Sequence, residues 1–281
     1  MSTRILSIDG GGILGCGPAR YLRRLEEQIP GRWEHIIAGT SVGALLAALR
    51  AIGHSWAEID GIFQSEGPKI FARPSWSWRM NPLSPKYPSD AIEAACRRYF
   101  GNLTCKDTVI PFFIPTMDMV NGKPKVYNHT DSDKLADVVL RSTAAPTYFA
   151  PREGRFVDGG LVANNPSHLA VAGAIREGVS LDSISVLSLD TGGKAWADPK
   201  VSGRMLPTSW ISPIIKSDLT GNEEIGEYIC DALLDDRHTR ISPKIGHDYG
   251  LDSVGAMPEY TNIWETTWQD TRISAVTIAT R

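Results

Sequence analysis

Two stretches, Arg4-Ile5-Leu6-Ser7-Ile8-Asp9-Gly10-Gly11-Gly12-Ile13-Leu14-Gly15 and Gly39-Thr40-Ser41-Val42-Gly43, decide how this chain is read. Arg4 to Ile8 is a short apolar, β-branched strand. The glycines that follow remove side chains where a backbone must come close to another group. Pro18 to Gln28 has helical spacing, with Tyr21, Leu22 and Leu25 on one face and charged residues elsewhere. Trp33 to Ala38 leads as a second short strand into Gly39-Thr40-Ser41-Val42-Gly43, and Ala44 to Leu49 then reads as helix. Strand, GxSxG, helix is the context of a nucleophile elbow. The tight turn exposes the Ser41 hydroxyl at a strand end, with the N-terminus of the next helix pointing at it.

Neither stretch decides alone. With 26 glycines in 281 residues, a GxSxG arises by chance in roughly one such chain in five, so its setting carries the weight. Gly10, Gly12 and Gly15 also spell GxGxxG, which would make a nucleotide-binding regulatory domain instead of an enzyme. That fingerprint needs an acidic residue at the end of the second strand for the ribose hydroxyls. This chain has Gly39-Thr40-Ser41 there.

The composition narrows the classes. A hydrophobic fraction of 42% and a charged fraction of 22% are those of an ordinary globular protein. A net charge of −3 without a basic block excludes nucleic acid as an obligate partner. Cys16, Cys96, Cys105 and Cys230 lie far apart, which is neither a disulfide framework nor a zinc pattern and suits a reducing compartment. Met1 to Arg4 runs straight into the first strand and leaves no room for a signal peptide. The longest apolar run, Ile36 to Leu49, is too short for a bilayer and holds the turn in its middle. The expectation is a cytoplasmic chain, peripheral where it meets a membrane. No repeat or linker interrupts it, so residues 1–281 are expected to form one domain.

Ala51 to Phe63 reads as a further helix. Gly67 to Ser89 carries Pro68, Pro74, Pro82, Pro85 and Pro88, a density that forbids a long helix or central strand. Among them lie Phe71, Trp76, Trp78 and Met80, with Lys69, Arg73, Arg79 and Lys86. Two readings stand: an Ω-type loop packed on the core, or a lid. In the second, Trp76, Trp78 and Met80 meet an apolar substrate or a membrane interface, and the cations favour anionic lipid. Asp90 to Tyr99 is helical, Val109 to Thr116 a buried strand interrupted by proline, Lys125 to Asn128 another strand, and Asp133 to Ser142 a helix. Ser183 to Leu189 is a buried strand running into Asp190 and the pair Gly192-Gly193. Beyond it come a mixed amphipathic helix at Ser212 to Leu234, an edge strand at Arg237 to Lys244 and a poorly defined helix at Ile263 to Ile278. The alternation through Asp190 predicts an α/β fold, a largely parallel sheet with helices on both faces.

Arg155-Phe156-Val157-Asp158-Gly159-Gly160-Leu161 is a short strand ending in a carboxylate, followed by Asn164-Asn165-Pro166 and a helix from Ser167 to Arg176. Asp-Gly also suits a hairpin turn, but the segment after it is helical. A serine nucleophile needs a base, and its oxyanion needs donors. Two arrangements can be written. A triad in α/β-hydrolase order would use Ser41, Asp190 and His238 or His247, yet the elbow here follows the second strand where that fold places it after the fifth. A dyad needs only Ser41, Asp158 and the amides of Gly11 and Gly12. An aspartate at its ordinary pKa of about 3.9 is a weak base at neutral pH, so burial beside Phe156 and Val157 is expected to raise it.

Asp9-Gly10-Gly11-Gly12 to Gly15, Gly39-Thr40-Ser41-Val42-Gly43 and Asp158-Gly159-Gly160, in that order, resemble the three signatures of the patatin-like phospholipases. Ser142 to Phe149 resembles that family's stretch before its aspartate, and the likeness runs from Ile5 to Asp190. It implies a three-layer α/β/α fold with a mostly parallel central sheet. It also implies a serine acyl hydrolase of the phospholipase A type, needing neither metal nor cofactor. Carried onto this chain, the nucleophile is Ser41, the base Asp158 and the oxyanion donors lie in Gly10, Gly11 and Gly12. Gly15, Gly39, Gly43, Gly159 and Gly160 are the remaining motif glycines. The implied partner is a phospholipid or other acyl-ester lipid at a membrane surface. Some relatives are switched on by a small nucleotide or a partner protein, and a homo-oligomer is left open. Leu14 departs from the pattern, standing where the family commonly has Arg or Lys. That departure keeps a general carboxylesterase or lipase on neutral acyl esters as the alternative.

Overall fold

The computed structural model of the protein describes residues 2–81, 84–192, 211–246 and 249–281, the side chains of 211–213 and 216 excepted. Met1, Pro82, Gly193 and His247, named above, lie outside them. Among the described residues one sheet is built from β1 (Thr3–Ile8), β2 (Ile36–Gly39), β3 (Phe112–Asp118), β4 (Lys123–Asn128), β5 (Phe156–Val157), β6 (Ile184–Leu189) and β7 (His238–Ile241). Their order is β4-β3-β2-β1-β6-β7, with β5 also on β3. The pairs β1–β2, β1–β6, β2–β3 and β6–β7 are parallel, and only β4 and β5 run against β3. The expected edge strand is β7.

The alternation within β1 separates the two helical layers. Leu6 and Ile8 face the larger core, with residues of α1 (Cys16–Gln28), α2 (Val42–Ala51), α3 (Trp56–Ile70), α5 (Asp90–Phe100), α6 (Leu135–Ser142) and α10 (Met257–Thr280). Ile5 faces the smaller one, where Ala170, Val171 and Ala174 of α8 (Ser167–Arg176) meet Cys230 and Leu234 of α9 (Ile211–Leu234). This is the three-layer α/β/α arrangement. Every residue of α2 is buried, which explains why its sequence is apolar instead of amphipathic apart from Arg50, whose charge pairs with Glu26 and Glu34.

Two expectations change. The helix expected to stop at Phe63 continues to Ile70, with Pro68 inside it. Ser55 and Glu58 close a capping box at its start. Gly67 packs so tightly on Ile13 that an added Cβ would sit 2.8 Å from the Ile13 side chain. A proline in a helix interior costs about 3 kcal/mol, but Pro68 stands in the last turn, and burial of Ile70 offsets it. The second change is α10, a continuous 24-residue helix where the sequence shows little pattern. Its Thr267, Thr271, Thr277 and Thr280 hydroxyls each donate to the carbonyl four residues back, and threonine has low helix propensity. Packing holds the helix instead: Trp264 is fully buried, and the Tyr21 ring meets Trp264 and Trp268 edge-on at 5.5 and 5.2 Å.

Candidate active site

β3 brings the two halves of the site together. β2 borders β3 at Phe112 and Phe113, and β5 borders it at Met117 and Asp118, along the edge opposite β4. The end of β2, which is the elbow, and the end of β5, which is Asp158, therefore converge over the middle of β3. Asp158-Gly159 is not a hairpin turn, because the short helix α7 (Gly160–Ala163) follows directly.

Ser41 adopts φ 53°, ψ −120°, a conformation rare for a residue with a side chain. Its glycine neighbours are required by close approach of backbone. A Cβ on Gly39 would lie 2.1 Å from the Gly43 carbonyl oxygen, and one on Gly43 would lie 2.1 Å from that of Ile8. Neither backbone can retreat without breaking the β1–β2 pairing. Gly43→Ala is therefore expected to cost about 3 kcal/mol or more, read as a large fall in melting temperature. A variant melting within about 1 °C of the native protein would contradict this packing.

The Ser41 hydroxyl donates to Asp158 Oδ2 at 2.6 Å, and Asp158 Oδ1 accepts the Gly160 N–H at 2.7 Å. The aspartate is held from behind by the turn after α6. Its own N–H donates to the Ala144 carbonyl at 3.0 Å, and the Gly159 N–H donates to that of Ser142 at 3.1 Å. Ser142 Oγ accepts the Ser41 N–H at 3.1 Å. Burial pushes the Asp158 carboxyl up to about 6, against the lowering effect of the bonds from Ser41 and Gly160.

The glycine loop lies against Ser41: a Cβ on Gly10 would sit 3.3 Å from Ser41 Cβ. Its amides are not equivalent. Gly10 N–H donates to the Asn164 carbonyl at 3.2 Å and Ile13 N–H to that of Leu251 at 2.8 Å. Gly11 and Gly12 donate to no acceptor among the described residues. Of the three expected donors, Gly10 is thus already committed. Thr191 fixes the loop by donating from Oγ1 to the Gly10 carbonyl at 2.5 Å, and its side chain fills the space where Gly11 lacks one.

Below the loop, Asp9 is fully buried and bound by Arg240 of β7, at 3.2 Å to Oδ1 and 2.6 Å to Oδ2. Arg240 also donates to Ser188 Oγ at 2.8 Å and lies 3.8, 3.6 and 3.3 Å from Asp190, Glu223 and Glu227. Burial holds the Asp9 carboxyl well above the usual range, against the pull of Arg240. Carboxylate oxygens of Asp9, Asp190 and Glu223 lie within 4.8 Å of one another. This is the one metal-like grouping among the described residues, and the Arg240 guanidinium supplies its positive charge.

A cavity of about 230 Å³ opens above Ser41, walled by Leu45, Phe63, Phe71, Ile92, Phe149 and Leu219 among others. Its described lining includes Asp158 and Glu223 and no Lys or Arg. Trp76, Trp78 and Met80 lie outside that lining. Among the described residues the triad with His238 does not assemble. His238 pairs with Asp231 at 2.6 Å, Asp190 accepts the Gly192 N–H at 2.7 Å, and His247 is outside the described residues. Ser142, Asn164, Thr191 and Arg240 are the parts that sequence reasoning left without a role. Arg240 carried no local signal at all, being one of three cations in the expected edge strand Arg237 to Lys244.

Residues 6–171 match the family model described as Patatin-like phospholipase. The chain belongs to the patatin-like phospholipase family. It is similar to a protein of Vibrio cholerae serotype O1 named cGAMP-activated phospholipase, with 30% identity over 69% of this chain and 65% of the relative. It is also similar to Patatin-like protein 2 of Arabidopsis thaliana, with 29% identity over 62% of this chain and 53% of that protein. The match thus spans less than two thirds of either relative's length. VipD from Legionella pneumophila shares the fold, with a TM-score of 0.53 and 12% identity over 95% of this chain and 66% of VipD. In this member of the family, Leu14 is 1% exposed and packed in the larger core. A cation at that position would be buried among apolar side chains. Here Arg240 reaches Asp9 of the glycine loop from β7 instead.

Proposed function

We propose that the protein is a lipid acyl hydrolase working through a Ser41–Asp158 dyad. The observation that carries this reading is the 2.6 Å contact between hydroxyl and carboxylate at the floor of an apolar cavity, with two uncommitted glycine amides beside it. Ser41 Oγ attacks the ester carbonyl carbon and gives its proton to Asp158 Oδ2. The oxyanion is held by the N–H groups of Gly11 and Gly12. Collapse of the tetrahedral intermediate breaks the bond to the alcohol oxygen, which leaves with the proton from Asp158. Water then attacks the acyl-serine and passes a proton to Asp158. The second collapse returns that proton to Ser41 Oγ and frees the fatty acid.

Membrane phospholipid is the substrate class proposed, as the family suggests. A second reading, neutral acyl esters, is favoured by the absence of any cation from the described cavity lining. The two separate in one assay. Purified protein is incubated with phosphatidylglycerol vesicles and with triacylglycerol emulsion, with and without added cGAMP, and released fatty acid is measured by mass spectrometry. The cGAMP arm is included because the Vibrio relative's name carries that activation. Fatty acid from the vesicles is the expected result. A fluorophosphonate probe is expected to label Ser41, and failure of both release and labelling would overturn the proposal.

A further inference from the structure

The short helix α4 (Trp76–Met80) stands outside the cavity and leaves its apolar side chains uncovered: Trp76 is 73% and Met80 62% exposed. Four residues apart, they share one face. Trp78 turns the other way, its indole N–H donating to the Pro85 carbonyl at 2.9 Å. The helix is therefore braced on one side and bare on the other. Around it, residues 67–89 hold Lys69, Arg73, Arg79 and Lys86 and no carboxylate. Lys69 pairs with Glu66 at 3.2 Å and Lys86 with Asp252 at 2.5 Å. Arg73 and Arg79 are exposed and have no acidic partner among the described residues.

Both flanks of α4 are tied to the cavity mouth. Phe71, which precedes it, is a wall residue, and its ring meets Tyr87 edge-on at 5.6 Å. After it, Lys86 and Tyr87 donate their N–H groups to the carbonyls of the wall residues Thr147 and Tyr148, both at 2.9 Å. An indole and a thioether beside unpaired guanidinium groups fit the head-group layer of an anionic bilayer. There tryptophan is favoured and each nearby cation strengthens binding about 5-fold.

We propose that α4 docks the protein on anionic phospholipid surfaces, Trp76 and Met80 entering the head-group layer while Arg73 and Arg79 lie on its phosphates. Docking there turns the cavity mouth to the lipid. Its purpose rests on the hydrolase reading; the binding itself does not. The test uses vesicles of diether phosphatidylglycerol and of diether phosphatidylcholine, which contain no acyl ester, and cosedimentation of the full chain. The native protein is expected to bind the phosphatidylglycerol vesicles more tightly. Trp76→Ser with Met80→Ser is expected to weaken that binding about 10-fold or more. Arg73→Gln with Arg79→Gln is expected to weaken it about 30-fold, with little change on phosphatidylcholine. Melting temperatures close to native keep misfolding apart from lost docking. Vesicles with brominated chains give a second readout, quenching the native protein's fluorescence more than that of Trp76→Phe. No binding by the native protein, or full binding by the Trp76/Met80 variant, would overturn the proposal. Docking that survives while no ester of any kind is cleaved would instead remove the hydrolase reading alone.

Discussion

Ser41→Ala is expected to lower ester hydrolysis at least ~10⁴-fold, because Ser41 is the cavity hydroxyl bonded to the Asp158 carboxylate and oxyanion donors alone retain little rate. Asp158→Asn is expected to lower it about 10³-fold or more: the amide has one acceptor oxygen for the two bonds from Ser41 and Gly160, and it takes no proton. The same substitution should stabilise the fold. The folded protein holds the Asp158 proton up to about pH 6, from an ordinary value of 3.8, whereas the unfolded chain releases it near the ordinary value. Above pH 6 the ionised, buried carboxylate therefore costs stability, by about 3 kcal/mol for a shift of about two units. Asn at this position avoids that cost in full above pH 6 and less as pH falls toward 3.8, below which the two proteins should melt alike. Hydrolysis by the native protein should rise with pH through about 6 as the base ionises. Denaturant melts at pH 8 and pH 4, with initial rates between pH 4.5 and 8, check both. A native rate flat across that range would sink Asp158 as the base.

Arg240→Met should be the most destabilising change outside the elbow, at roughly 3–5 kcal/mol. It leaves the buried Asp9, Asp190 and Glu223 side chains without their shared cation. The deficit should grow with pH, because burial holds the Asp9 carboxyl well above the usual range and its ionised form would then lack the guanidinium that binds both its oxygens. Urea melts at pH 5 and pH 8 measure it. Arg240→Lys should recover part of the stability, since an ammonium restores charge without the two-pronged geometry that grips both oxygens of Asp9. Because Asp9 begins the loop that lies against Ser41, turnover should fall in Arg240→Met even under conditions where it is folded. A variant as stable as the native protein at pH 8 would show that the cluster is already neutral.

How much was legible beforehand differs by element. The elbow could be read locally, because a serine held at positive φ between close-packed backbones leaves glycine on either side and a strand and helix around it. The fate of Pro68 could not, since whether a helix continues through proline depends on what Ile70 and Gly67 pack against. Nor could the threonine-rich α10, whose stability lies in Trp264 and Trp268 meeting Tyr21. Which of the three glycine amides is already bonded could not be read either: Gly10 looks like its neighbours in sequence, and only the Asn164 carbonyl opposite it distinguishes them.

The order of residues alone determined the strand–glycine–helix start, the exposed serine and a carboxylate at a strand end, because each depends on dihedral preferences and side-chain size within a few positions. Tertiary structure alone decided that Asp158 meets Ser41 across 117 residues. It also decided that Arg240 comes to rest under Asp9. Those contacts depend on where β2 stops along β3, where β5 begins, and which strand closes the sheet's far edge. Pairing over such distances is set by the packing of the whole core, which no short stretch encodes.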